Sequence, residues 1–158
     1  MANISLWNLW LDRIRRNIRE ISFHTLAAGV AIFLVSYGGL FIAIRAYPQF
    51  FVDYINPMFN SDGSRDLYFY IHPLVLSLSL SVFWNRFSRL FEGGILAVGI
   101  EFGILYTFVA LVPVLWITYS AMDVNMSMIL SWLLYGLVQT ITAGMVFGLL
   151  RKQKMADQ

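Results

Sequence analysis

Four long apolar stretches dominate the chain, at about 23–46, 67–87, 94–119 and 126–150. At about 1.5 Å of rise per residue, a helix of roughly 20 residues reaches ~30 Å, the thickness of a bilayer's hydrocarbon core. No water satisfies the backbone there, so an isolated span must be helical. For that reason the alternation of Ser77, Ser79 and Ser81 with leucines in the second stretch reads as helix rather than strand. Pro73 lies in that helix's first turns, where a missing N–H costs least, and Pro113 lies near the far end of the third. The first stretch exceeds the roughly 7–15 apolar residues of a signal-peptide core and is expected to be a retained anchor. Composition points the same way: the 158 residues are 59% hydrophobic and only 13% charged. A soluble fold this apolar would expose patches large enough to aggregate. The expected fold is all-α, an integral membrane four-helix bundle forming one domain over residues 1–158.

An amphipathic helix is predicted ahead of the first span, at 3–21. Ile4, Trp7, Leu11, Ile14, Ile18 and Ile21 recur at steps of three and four, which is one face of a helix. Arg13, Arg15, Arg16 and Arg19 lie off that face, with Asp12, Asn17 and Glu20. Such a helix rests in the membrane interface, its arginines on anionic headgroups at about 1 kcal/mol each. The same stripe would also suit a partner helix.

Basic residues divide unevenly between the two ends of the spans. One side holds the four N-terminal arginines, Arg86 and Arg89 in the link between the second and third spans, and Arg151, Lys152 and Lys154 in the tail. The other holds Arg45 at a helix end and Arg65, among several aspartates. The positive-inside rule then places both termini in the cytoplasm, in a cell (inner) membrane. Aromatic residues of the first loop, such as Phe51 and Tyr54, suit the outer interface.

Few side chains suggest chemistry. Glu101 lies about seven residues into the third span, and an ionisable group at such depth is costly unless it is paired or functional. It is either a proton or cation site, or a hydrogen-bonded acid that locks helices or subunits together. His24 and His72 belong to opposite leaflets, roughly 20–25 Å apart, so one cofactor cannot bridge them. Each reads as an end-of-helix residue. Arg45 can snorkel outward or pair with Asp53, Asp66 or a lipid phosphate. Gln139, in mid-membrane, suits an interhelical hydrogen bond, as do Tyr37, Tyr106 and Tyr135. His72, His24 and Arg45 join Gln139 as candidate polar contacts between helices.

Small residues form a sharper pattern. Gly136, Thr140, Gly144 and Gly148 stand four apart in the last span, and Gly99, Gly103 and Thr107 do so in the third. Such stripes let helix backbones approach closely. The third helix packing on the fourth is the expected use, and self-association is the alternative.

The chain has no cysteine, which excludes disulfides, thiolate metal sites and a thiol nucleophile. It has no P-loop, GxSxG, HExxH or dinucleotide fingerprint. No metal, cofactor or nucleic acid is expected, and the partners expected are membrane lipids and other copies or other membrane subunits. Three functions stay open. The first is a non-enzymatic accessory, assembly or scaffold subunit of a membrane complex. The second is a small homo-oligomeric proton-coupled transporter or channel using Glu101. The third, least supported, is an enzyme on lipid-like substrates with Glu101 and His24 as acid and base.

Overall fold

The computed structural model describes residues 6–55 and 63–156. Helix α1 is Leu6–Ala46, followed by a 3-10 helix at Pro48–Ile55. Helix α2 is Asp66–Phe87, prolonged by a 3-10 turn at Ser88–Leu90. Helix α3, Ile95–Tyr106, passes through a π turn at Thr107–Leu111 into α4, Val112–Ala121, and α5 is Met126–Ala156. Four of the resulting helical stretches are long and apolar enough to cross a membrane: Asn17–Ala46, Asp66–Leu90, Ile95–Ala121 and Met126–Gln153. The protein is an all-helical four-span bundle, as its hydropathy pattern predicts, and the described residues contain no strand.

Two local features depart from expectation. The segment at 3–21 and the first span are not separate helices: α1 runs unbroken for 41 residues. No glycine or proline interrupts the chain before Gly29, so nothing at Ile21–Phe23 stops the hydrogen-bond ladder. The side chains of Arg13, Arg15 and Arg16 lie outside the described residues, while Arg19 and Ile18 are exposed. The third span, in turn, is not a uniform α-helix. The Val112 N–H donates to the Thr107 carbonyl, five residues back, in the wider π turn just ahead of Pro113. Proline has no N–H and crowds the carbonyl four residues earlier, and a π turn is one way a helix absorbs both defects.

The ends of the spans are closed by short, specific devices. Gly93 adopts a φ of 100°, a left-handed backbone that turns the chain from the α2 end into α3. Asn125 caps α5 by accepting the Met128 N–H on its side-chain oxygen at 2.8 Å. Residues 56–62 of the first loop lie outside the described residues.

Helix α1 packs on α2 and on α5, and α5 also packs on α3. Consecutive helices α2 and α3 make no close backbone approach, although their link is short. Aromatic rings fill the space between them. Trp84 of α2 and Phe102 of α3 meet edge to face at 5.8 Å between centroids, and Phe83 meets Phe102 at 5.7 Å. Phe91 stacks on Trp84 at 5.6 Å, and Phe147 of α5 packs on both Trp84 and Phe102. Except for the partly buried Phe83, these rings are buried together with Ala28, Ile32, Leu80, Val98 and Ala143, so all four spans meet there. This core lies toward the end of the bundle that carries Arg86, Arg89, Arg151 and Lys152, here called the basic end. At the opposite end a smaller cluster of Val124, Met128 and Ile129 gathers Tyr54, Leu115 and Trp132.

Candidate functional site

Glu101 stands six residues after the start of α3, about 9 Å along the helix. The face of α3 that packs on α5 carries Val98, Gly99, Phe102 and Gly103, all buried. A helix advances 100° per residue, which turns Glu101 to the opposite side with Ala97 and Ile104. All three are exposed. Among the described residues the Glu101 carboxyl has no hydrogen bond and no ion pair. The helix-locking contact expected within the bundle is therefore not made inside one chain. The acid–base pair with His24 is not formed either, because His24 lies on α1 with its ring edge-on to Phe147, 5.5 Å between centroids.

The mid-membrane polar contact is between Gln139 and Ser36. The Gln139 amide donates to the Ser36 hydroxyl at 2.9 Å, joining α5 to α1. Both residues are buried, at 2% and 1% exposure, so solvent does not compete for the bond. Such bonds contribute about 0.6–1.7 kcal/mol in a membrane, because the unfolded helices also find partners. Gln139→Leu should lower stability by about 1 kcal/mol, and adding Ser36→Ala should cost little more. Reversible unfolding in mixed micelles, run as a double-mutant cycle, checks this.

Two other candidates lie exposed on their helices. The packing stripe of α2 is Pro73, Ser77, Leu80, Ser81 and Trp84. His72 falls off that stripe and is exposed on α2. Arg45 places its guanidinium 3.8 Å from the centre of the Phe41 ring, one turn back on the same helix. A cation over an aromatic face in its own helix is a local contact that reaches no neighbouring helix. His24 and His72 lie at opposite ends of the bundle, and no group of residues that could hold a metal occurs among the described residues.

The small-residue stripes meet one another. A Cβ added to Gly144 would lie 3.0 Å from the Gly99 Cα and 2.9 Å from the Phe102 Cβ. One on Gly103 would lie 3.0 Å from the Ile141 nitrogen, and one on Gly148 3.3 Å from a Val98 methyl. Gly136 faces Leu111 in the π turn. Thr140 is fully buried and returns its hydroxyl to the Gly136 carbonyl at 3.0 Å. Here α3 and α5 touch backbone to backbone.

Three further contacts tie the elements together. Tyr37 donates its hydroxyl to the Phe69 carbonyl at 2.9 Å. That carbonyl would ordinarily accept the N–H four residues on, but position 73 is proline and has none. Tyr37 thus makes an interhelical hydrogen bond of the kind its sequence position suited, and the proline explains which carbonyl is free to accept it. Arg151 donates to the carbonyls of Ser88 and Phe91 at 3.1 and 2.6 Å, tying α5 to the end of α2. Trp132 donates to the Tyr54 hydroxyl at 2.6 Å, folding the 3-10 helix over the start of α5.

Taken together, these contacts define a polytopic membrane protein whose interior is filled by packing and whose intramembrane acid faces outward. No family model, no curated protein and no solved structure matches the chain.

Proposed function

We propose that this protein is a non-enzymatic accessory, assembly or scaffold subunit of a membrane complex. The observation that carries this reading is the placement of Glu101. A carboxyl on a hydrocarbon-facing helix surface is costly unless protein or water covers it. Among the described residues none pairs with it, and an adjoining protein surface would supply a partner. The basic end faces the cytoplasm of a cell membrane on this reading, since Arg19, Arg86, Arg89, Arg151 and Lys152 gather there.

The first experiment is the mass and polypeptide content of the particle after gentle extraction from its native membrane. A stable assembly larger than one chain is expected. A monomer that still performs its cellular role would overturn the reading. Glu101→Gln keeps the shape and can still accept a hydrogen bond, so abundance should stay near wild type. Glu101→Lys should release the subunit from its assembly.

A homo-oligomeric proton-coupled transporter is the second reading, favoured by the same outward acid if several copies enclose it. It requires pH-dependent flux in liposomes that Glu101→Gln abolishes. Flux that survives the substitution removes Glu101 from any such role.

A further inference from the structure

Glu101 has a counterpart of opposite charge at a similar depth. Trp84 and Phe102 lie in one layer of the bundle, their rings in contact. Helix α2 runs toward the basic end, so Arg86 lies two residues beyond Trp84 in that direction. Helix α3 runs away from it, so Glu101 lies one residue before Phe102 in the same direction. The two charges therefore lie within about one or two helical turns of each other in depth.

They also face the same way. Ser77 fastens α2 to α1 by donating to the Thr25 carbonyl, and Arg86 falls on the opposite side of α2 with Val75 and Val82. All three are exposed. Glu101 falls on the side of α3 away from α5, with Ala97 and Ile104. Since α1 and α5 lie side by side, with α2 on one and α3 on the other, these two outer faces form one side of the bundle. The lack of backbone contact between α2 and α3 keeps the two charges apart within one chain, and no ion pair joins them.

A face with a cation on one helix and an anion on the next, at similar depth, is self-complementary under a two-fold rotation. Copies inserted with the same topology are related by an axis along the membrane normal. Such an axis sets α2 of one copy against α3 of the other, twice. We propose that a second copy of this chain docks on the α2–α3 face, with Glu101 of each copy receiving Arg86 of the other. Arginine presents a planar fork that binds a carboxylate through two parallel hydrogen bonds. An anionic lipid would satisfy Arg86 and leave Glu101 bare. The inference rests on reading Glu101 as a contact residue and adds what it contacts.

The test uses the full chain, which has no native cysteine. Val82 and Ile104 each lie two residues from Trp84 and Phe102 on the side away from the basic end, so they share a layer and an outer face. Copies with Val82→Cys and Ile104→Cys, carrying different tags, are coexpressed and oxidised in the membrane. A disulfide between the two copies is expected, because it forms only when the Cα atoms come within about 7 Å. Val30→Cys on the outer side of α1 should give none. Arg86→Glu and Glu101→Arg alone should each cut the product ~10-fold, in chains that keep their helical circular dichroism. Both changes together in every copy should restore it, and swapped copies mixed with unswapped ones should pair poorly. Absence of the disulfide, or a yield indifferent to the charge changes, overturns the proposal. A photo-crosslinker at Ile104 that captures only a different polypeptide also overturns it, while leaving the membrane-complex reading standing. Capture of no protein at all overturns both.

Discussion

Gly144→Leu should separate α3 from α5 and remove the folded protein from the membrane. A single Cβ at this position already meets the Phe102 Cβ at 2.9 Å and the Gly99 Cα at 3.0 Å. The second of these is backbone, which cannot rotate away, so the helices themselves must part. One surplus methylene in a packed interior costs about 1–3 kcal/mol, and leucine brings four carbons. A loss above ~3 kcal/mol is expected, most of the stability of a small domain. Folded yield after mild extraction, followed by unfolding in mixed micelles, measures it. Gly38→Leu is the control, because nothing lies within 4 Å of a Cβ there. Equal behaviour of the two variants would contradict the close approach of α3 and α5.

Phe102→Ala should be next in size, at about 2–3 kcal/mol. Phe102 is fully buried and its ring touches Phe83, Trp84, Phe91 and Phe147. Aromatic truncations in soluble cores cost about 3–5 kcal/mol, part of which is transfer from water. In a bilayer the separated helices already sit in an apolar solvent, so the packing and cavity contributions remain. The loss should be localised. Phe102 carries the side-chain contact between α2 and α3, which have no backbone contact to replace it. Hydrogen exchange should rise in the Ser88–Gly94 link before it rises in α5. Phe108→Ala, on a ring 69% exposed, should stay within about 0.5 kcal/mol of wild type.

The glycine stripes show how far residue spacing reaches. Steps of four put Gly136, Thr140, Gly144 and Gly148 on one side of a helix whatever surrounds it, because the α-helical period is fixed by the backbone. The short loop between the third and fourth spans then made α3 the neighbour. Gln139 was legible for a similar reason: an amide in mid-membrane must find a partner. That the partner is Ser36, more than 100 residues earlier, was not, because many hydroxyls lie at comparable depth. Arg45 and His72 lie exposed on their helices. Their depth was readable, but their direction depends on which stripe of each helix its neighbours select.

Glu101 joins both cases. Its cost and depth follow from residue type and distance along the span. Its outward direction was latent in the same stripe, since Gly99 and Gly103 face α5 and Glu101 lies across the helix from them. What it meets beyond the chain depends on Arg86, which a count of charges placed only among the cytoplasmic basic residues.

The sequence by itself determined the class of protein, the number of apolar spans and the close packing of the third on the fourth. Each follows from local quantities: apolar length, the satisfaction of backbone polar groups in lipid, and the helical period. Only the tertiary structure decided that α1 continues unbroken, that α2 and α3 meet through rings rather than backbone, and that Arg86 and Glu101 lie at similar depth on one face. Those depend on the order of helices around the bundle. That order is set by shape complementarity among residues far apart in the chain, and spacing along one helix carries no record of it.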